Sequence, residues 1–380
     1  MNLQIYMYRE EKWNQPFDIS LDSEQTLVLL FGTSKKKYIK EPLKNLQKYF
    51  PKSVIVGASS AGEIVQDELY KDSLVVTIMQ FKTTKIKVIA KPISSVKNSY
   101  KEGADLATEL LNDDLRGTFV LSDGLQVNGS QLTNGISSVL PKEIVVTGGL
   151  AGDDERFEST WVIANNEVCS GFITAVGFYG DNIHIAHGSE GGWDRLGIER
   201  IVTKSEDNVL YEFDHQPALE IYKRYLGDKS KDLPATGLLF PLEIRTTSES
   251  DESTVRTILA IDDEAQSITF AGDIPEGSYV TFMKANYDRI IDGASHAAGK
   301  VKLDAYHGEP LLSIAISCVG RRLILKQRTE EELEAVLDVL PSQTKQIGFY
   351  SYGEISPLAS GTCDLHNQTM TLTLIWESDA

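Results

Sequence analysis

Apolar and polar positions alternate along this chain in a pattern that occurs three times. In the first copy Thr26 to Phe31 is a short apolar run followed by the small polar turn Gly32-Thr33-Ser34. Ile39, Leu43, Leu46 and Phe50 then recur at spacings of three and four, which predicts a helix with one buried face. Pro51 ends it, and Val54-Ile55-Val56 reads as a strand entering Gly57-Ala58-Ser59-Ser60-Ala61-Gly62-Glu63-Ile64. The second copy has Thr118 to Leu121, the turn Ser122-Asp123-Gly124, a helix carrying Leu132, Ile136 and Leu140, then Pro141, Ile144-Val145-Val146 and Gly148-Gly149-Leu150-Ala151-Gly152-Asp153. The third has Leu311 to Ile316, the turn Ser317-Cys318-Val319-Gly320, and a helix with Thr329 and Glu332 at capping-box spacing. Leu333, Val336, Leu337 and Leu340 mark its buried stripe, Pro341 ends it, and the strand Gln346 to Tyr350 leads to Tyr352-Gly353-Glu354-Ile355.

From each proline to its signature glycine there are 11, 11 and 12 residues. Each copy therefore predicts a βαβ unit with neighbouring parallel strands and a right-handed crossover. Leu74 to Val88, Trp161 to His187 and Thr369 to Trp376 alternate as antiparallel hairpins would. Gly188 to Gly197 reads as a glycine-rich hinge or loop. Asp214 is placed to cap a helix from Pro217 to Leu226, with Gly227 as its stop. Ser248 to Ser253 (SESDES) predicts a solvated hairpin tip, and Asn286 opens a helix running through Ala298, with Gly299 as its stop. The expected class is α/β, with mixed sheets built from repeated βαβ units and antiparallel hairpin extensions. Two halves are expected, residues 24–205 and 206–376, with the boundary near 205.

Composition narrows the partners. Across 380 residues, 37 Lys and Arg face 55 Asp and Glu, a net charge of −18 that repels phosphate backbones and anionic bilayers. No nucleic-acid or membrane partner is expected. Cys169, Cys318 and Cys363 lie too far apart for a CxxC or zinc motif. The acidic start MNLQIYMYREEKW lacks the apolar core of a signal peptide, and no apolar run approaches a membrane span. These features point to the cytoplasm.

Candidate chemistry concentrates in the repeated loops. Small residues beside one carboxylate, at the carboxyl end of a strand, suit a small ligand: free N–H groups hold an anion, and Glu63, Asp153 or Glu354 pairs with a cation. Ser59, Ser60, Gly62, Gly152 and Gly353 complete that candidate site. The competing reading is structural, with glycines serving positive-φ turns and acids serving as caps. Ser317-Cys318-Val319-Gly320-Arg321-Arg322 offers a thiol beside guanidiniums, biased toward thiolate, with Arg321 as a carboxylate anchor; a buried strand-end cysteine is the alternative. Ala61 stands where a nucleophile elbow needs glycine, and neither GxxxxGK[ST], GxGxxG nor HExxH occurs. Of the six histidines no two have metal-ligand spacing, but one suffices as a haem axial ligand, with His187, His296 and His307 as candidates.

The segments VIVGASSAGEI (54–64), VVTGGLAGDD (145–154), GGW at 191 through FDHQPALEIYKRYLG (213–227), SIAISCVGRR (313–322) and IGFYSYGEISPL (347–358) resemble the FIST sensory family, N-terminal and C-terminal halves together. The resemblance implies an input module of bacterial signalling that binds a small ligand such as an amino acid. In that family its glycine-acid motifs map onto Gly62-Glu63, Gly152-Asp153 and Gly353-Glu354, and its Ser-Cys/Arg motif onto Ser317, Cys318 and Arg321. Many relatives are fused to output domains; no output domain fits outside the two halves, so the expected partner is a separate histidine kinase or cyclase. One stand-alone branch implies a second function, a haem-bound nitric oxide sensor. A hydrolase-like enzyme using Ser59 or Cys318 is a third, for which the residues offer no paired base; no enzymatic activity is expected.

Overall fold

Each hydrophobic repeat becomes a strand, a helical crossover and a second, parallel strand in a computed structural model that describes residues 1–379 other than Pro234 and Asp251. The chain opens with β1 (Asn2–Arg9) and β2 (Lys12–Trp13). Its first unit is β3 (Thr26–Thr33), α1 (Lys36–Tyr49) and β4 (Val54–Ser60), followed by the hairpin β5 (Glu63–Val65) and β6 (Glu68–Tyr70) and a return strand β7 (Leu74–Gln80). The second is preceded by β8 (Lys85–Pro92) and α2 (Ser99–Leu110). It comprises β9 (Leu115–Ser122), α3 (Gly129–Ser137), β10 (Val145–Leu150), the hairpin β11 (Val162–Ala164) and β12 (Glu167–Cys169), and the return strand β13 (Phe172–Tyr179). Then comes β14 (Ile183–Glu190). An all-antiparallel insertion follows: β15 (Asp194–Glu206), β16 (Val209–Phe213), β17 (Gln216–Pro217), α4 (Ala218–Leu226), β18 (Leu242–Arg245), β19 (Thr254–Arg256), β20 (Ile258–Asp262), β21 (Ser267–Phe270) and β22 (Tyr279–Lys284). The third unit is α5 (Tyr287–Gly299), β23 (Leu312–Cys318), α6 (Val319–Leu325), α7 (Thr329–Leu337), β24 (Lys345–Ser351), the hairpin β25 (Gly353–Pro357) and β26 (Cys363–His366), and β27 (Met370–Glu377).

The three units interlock in a cycle. Their sheets run β2-β1-β7-β3-β4-β11-β12, β8-β13-β9-β10-β25-β26 and β14-β27-β23-β24-β5-β6. Each sheet holds its own parallel pair and return strand, and borrows its last hairpin from another unit. Unit one lends β5–β6 to sheet three, unit two lends β11–β12 to sheet one, and unit three lends β25–β26 to sheet two. The parallel strands are apolar on both faces because both are covered. Leu27, Leu29 and Phe31 meet Phe119, Leu121, Ile314, Ile316 and Phe349 in one central core, with Phe31 and Phe349 stacked at 4.6 Å. Val28 and Leu30 turn outward beneath Ile39, Leu43 and Leu46 of α1.

Several local expectations change for physical reasons. Leu74 to Val88 is not a hairpin: β7 joins sheet one and β8 joins sheet two. Within Trp161 to His187 only β11–β12 is one, because β13 and β14 enter different sheets. Met370 to Trp376 lies in β27, between β14 and β23, with Thr369 just before it. Residues 317–320 do not form a turn; Ser317 and Cys318 end β23 and Val319 begins α6. Gly188 to Gly197 is mostly strand, with only Gly191-Gly192-Trp193 between β14 and β15. Gly188 lets α5 approach, since a Cβ there would fall on Ala297 O. Asp214 caps no helix; it accepts from Arg200 and from Ile201 N, and α4 starts after Pro217 without a side-chain cap. The tip between β18 and β19 holds SESDES, of which Asp251 lies outside the described residues.

Position 205 lies inside β15, which pairs with β16 and β22. A separate core drawn from Leu196 to Phe282 fills the insertion, including Val202, Phe213, Tyr222, Leu242, Ile268 and Phe282. The chain therefore leaves the three-unit body at Trp193 and re-enters it at α5.

Candidate functional site

The three signature loops do converge. Ala61 N donates to Tyr350 O at 2.8 Å, Tyr350 N to Gly62 O at 2.9 Å, Gly152 N to Ser59 O at 3.0 Å and Tyr352 N to Leu150 O at 3.1 Å. Their carboxylates, however, are turned into the protein. Glu63 accepts from Ser73 N (3.2 Å) and Ser73 Oγ (2.8 Å); Glu354 accepts from Ser351 Oγ (2.5 Å), Thr369 Oγ1 (3.0 Å) and Thr369 N (3.3 Å). Asp153 accepts from the N–H groups of Phe157, Glu158 and Ser159 and from Tyr352 Oη. Each acid thus pins the segment that follows its own loop. Burial pushes Glu63 and Glu354 up to about 8.

The Ser-Cys/Arg segment is equally enclosed. Burial raises the Cys318 thiol far from thiolate, more than Arg321 lowers it. Arg321 donates to both Glu332 (Nε 2.9 Å, Nη2 2.8 Å) and the carbonyls of Gly191 and Ile290; neither Arg321 nor Glu332 is exposed. Ser317 Oγ and Tyr350 Oη complete the Glu332 shell at 3.0 and 2.7 Å. Glu332 therefore forms no capping box; the buried guanidinium takes it instead. Ser59 Oγ accepts from Trp161 N and Ser60 Oγ from Gly62 N. None of the eleven loop and Ser-Cys/Arg residues borders either cavity described below.

The larger cavity, about 1050 Å³, lies where β14 meets the β25–β26 hairpin, the Lys300–Ala305 segment and the insertion. β14 supplies Ile183 through Glu190; the insertion supplies Glu243, Val255 and Met283. Lys300 pairs with Glu190 at 2.6 Å and Arg195 holds Glu243 at 2.7 and 3.0 Å, so charge lines the rim. Trp193 donates Nε1–H to Gln368 O at 2.9 Å, and His184 stacks on Trp376 at 5.1 Å. His187 and His366 are both on the wall. The His187 side chain makes no hydrogen bond among the described residues, and burial holds it down to about 4, a neutral imidazole at pH 7. His366 is buried, also shifted down by burial, and donates Nε2–H to Ser356 O at 3.0 Å. A second cavity of about 440 Å³ shares Glu190, Gly192 and Trp193 and contains His296. His307 borders neither and is exposed.

Family models match the chain as the FIST N domain over residues 26–216 and the FIST C domain over 218–357. The chain belongs to the FIST family. FIST domains are sensory domains of signal transduction, and the cavity draws residues from both halves of this one. An uncharacterized protein of Methanocaldococcus jannaschii is 26% identical over 272 residues, 64% of this chain and 51% of its own. The FIST chain thus spans about half the length of that curated relative. A solved cyanuric acid hydrolase from A. caulinodans aligns over 93% of this chain and 90% of its own at 7% identity, with a TM-score of 0.36 that bears on neither fold nor chemistry. Among the described residues no helix is long and apolar enough to cross a membrane, and no three His, Cys, Asp or Glu cluster as a metal site.

The sequence pointed to the loops and missed the cavity. Of its wall, the GGW motif and the His184/His187 pair were visible as a pattern; Lys300, Lys302 and His366 reach it only through the tertiary fold.

Proposed function

We propose that this FIST protein is a cytoplasmic ligand sensor whose ligand, an amino acid or similar small zwitterion, binds in the cavity between β14, the β25–β26 hairpin and the insertion. The supporting observation is a 1050 Å³ space whose wall includes Lys300 and Lys302, Glu243 and Glu252, and Trp193 and Trp376. A zwitterion matches walls of both signs. A ligand touching both body and insertion favours one of their relative placements, which is the requirement for a signal. The reader of that signal is a separate protein such as a histidine kinase or cyclase. Thermal-shift measurement with the twenty amino acids tests the reading: a rise in Tm is expected in the wild type and its loss in Lys300→Met. No rise with any amino acid sinks the zwitterion.

His187 favours a second reading. A neutral imidazole without a side-chain hydrogen bond among the described residues, on the wall of a cavity that also holds Met283 and Leu358, fits a haem axial position. Bound haem would supply an iron that takes nitric oxide. Protein mixed with haemin should then show a Soret band that moves with nitric oxide and is lost in His187→Ala; colourless protein excludes this reading.

A further inference from the structure

An open strand edge runs along the larger cavity. β14 is the end strand of sheet three: it pairs with β27 in one unbroken register from Ile183–Glu377 to Glu190–Met370, and among the described residues no strand takes its other side. All eight of its residues border the cavity. Successive side chains of a strand point to opposite faces, so a cavity bordered by every one of them follows the edge of β14 rather than one face. The ladder fixes which backbone groups that edge presents. Asn182 O accepts from Ser378 N at 2.9 Å, and bonded and non-bonded residues alternate along an antiparallel pair, so His184, Ala186 and Gly188 turn their N–H and C=O toward β27. Ile183, Ile185, His187 and Ser189 turn theirs away from it. Lys300 Nζ agrees with that direction, donating to Ser189 O at 3.3 Å. Among the described residues the other outward N–H and C=O groups of these four have no partner.

Proteins ordinarily block such edges, because unpaired N–H and C=O groups template the addition of another strand. This chain blocks its others. β8, at the end of sheet two, carries Lys85, Lys87, Lys91 and Pro92. β1, left open beyond the two-residue β2, has Met7 O, Ile5 O and Leu3 O taken by Asn14 N, Gln15 Nε2 and Lys345 Nζ. The remaining end strands, β6, β12, β19, β20 and β26, are only three to five residues long. β14 has eight residues, no lysine, no proline and no register shift. Its edge is sheltered by the cavity instead of being blocked.

We propose that the cavity takes a short linear peptide, which adds to β14 as a strand through the outward N–H and C=O groups of Ile183, Ile185, His187 and Ser189. An extended peptide presents donors and acceptors at the spacing of the strand itself, and strand addition draws its affinity from those main-chain bonds. At about 3.4 Å per residue the edge from Ile183 to Ser189 is about 20 Å long, enough for about six residues. The β25–β26 hairpin and the insertion wall the space to about 1050 Å³, which admits a free peptide and not the sheet of a folded protein. The two charged termini of such a peptide suit a wall that includes Lys300, Lys302, Glu243 and Glu252. This deepens the zwitterion reading and rests on it for the cavity as the ligand site: a peptide is a zwitterion whose middle is amide.

The test uses alanine, tetra-alanine with free termini, and tetra-alanine methylated at its peptide nitrogens, with binding to the full chain followed by amide NMR. Tetra-alanine is expected to bind more tightly than alanine and to move the amide protons of Ile185, His187 and Ser189 downfield. The methylated peptide should bind roughly tenfold more weakly, as the loss of one or two neutral hydrogen bonds implies. His187→Pro deletes one outward N–H and spares the ladder to β27, so it should weaken tetra-alanine to a similar degree. If that variant does not fold, the methylated peptide on the wild type decides. Tetra-alanine that binds no better than alanine, that binds equally well when methylated, or that leaves those three amides unmoved overturns the strand addition. A chain that sediments as a dimer, and as a monomer in His187→Pro, assigns the edge to a second copy and overturns it too. Stabilisation by amino acids with tetra-alanine inert removes the peptide alone. Binding of tetra-alanine with every single amino acid inert removes the amino acid and keeps the peptide.

Discussion

Arg321 and Glu332 show how far a motif's role depends on its surroundings. Both are unexposed, and each provides the other's charge partner, while Arg321 also ties Gly191 O to Ile290 O. Removing one member strands a buried charge, at a cost of about 3–5 kcal/mol. Arg321→Ala should therefore lower the unfolding free energy by about that much, and Arg321→Met combined with Glu332→Leu by clearly less; urea denaturation measures both, and equal losses contradict the pairing. The glycine-acid loops carry a second prediction. Glu63 and Glu354 are raised from 4.5 to about 8, so the folded state keeps protons that the unfolded chain has released. Their contribution is full below 4.5 and is lost as pH rises through 8. Glu63→Gln should flatten the fall of stability across that window; an unchanged slope would show that the carboxyl is ionised in the fold. These residues were legible as a recurring pattern, but small residues beside an acid look alike whether the acid faces a ligand or a Ser73 hydroxyl. Sequence spacing does not report which way a carboxylate points.

At the scale of elements, period and punctuation were enough for the three βαβ units: Ile39, Leu43 and Leu46 are the buried stripe of α1, and Asn286 caps α5 as its position implied. Strand partners were not legible, because pairing in this fold is non-local. β5 follows β4 after two residues yet pairs with β24, about 280 positions away. Ile64, fully buried on β5, belongs energetically to sheet three. Ile64→Ala should cost about 2–4 kcal/mol, with the earliest loss of amide-exchange protection in β24 rather than in β3. Protection lost first in β3 and β4 would mean that the hairpin stabilises its own unit. Gly191-Gly192-Trp193 is fixed by Arg321 and Gln368, and Gly192 has φ +74 with a Cβ that would fall on Arg289 O, so Gly192→Ala should displace the turn and α5 together.

For the whole molecule, the −18 charge repels polyanions but does not locate the site. The cavity lies where β14, the β25–β26 hairpin and the inserted sheet come together, a place no single segment encodes. That position suits a sensor: the ligand would bridge the body and the insertion, which already meet through Asp273 with Asn128 and Gln131 and through Arg256 with Leu365 O. The most direct test of this account is ligand-induced stabilisation measured in two variants side by side, His187→Leu on the cavity wall and Glu63→Gln in a signature loop. The cavity account predicts that the rise in Tm seen in the wild type persists in Glu63→Gln and disappears in His187→Leu. A rise that survives in His187→Leu and vanishes in Glu63→Gln would contradict it and return the binding site to the loops.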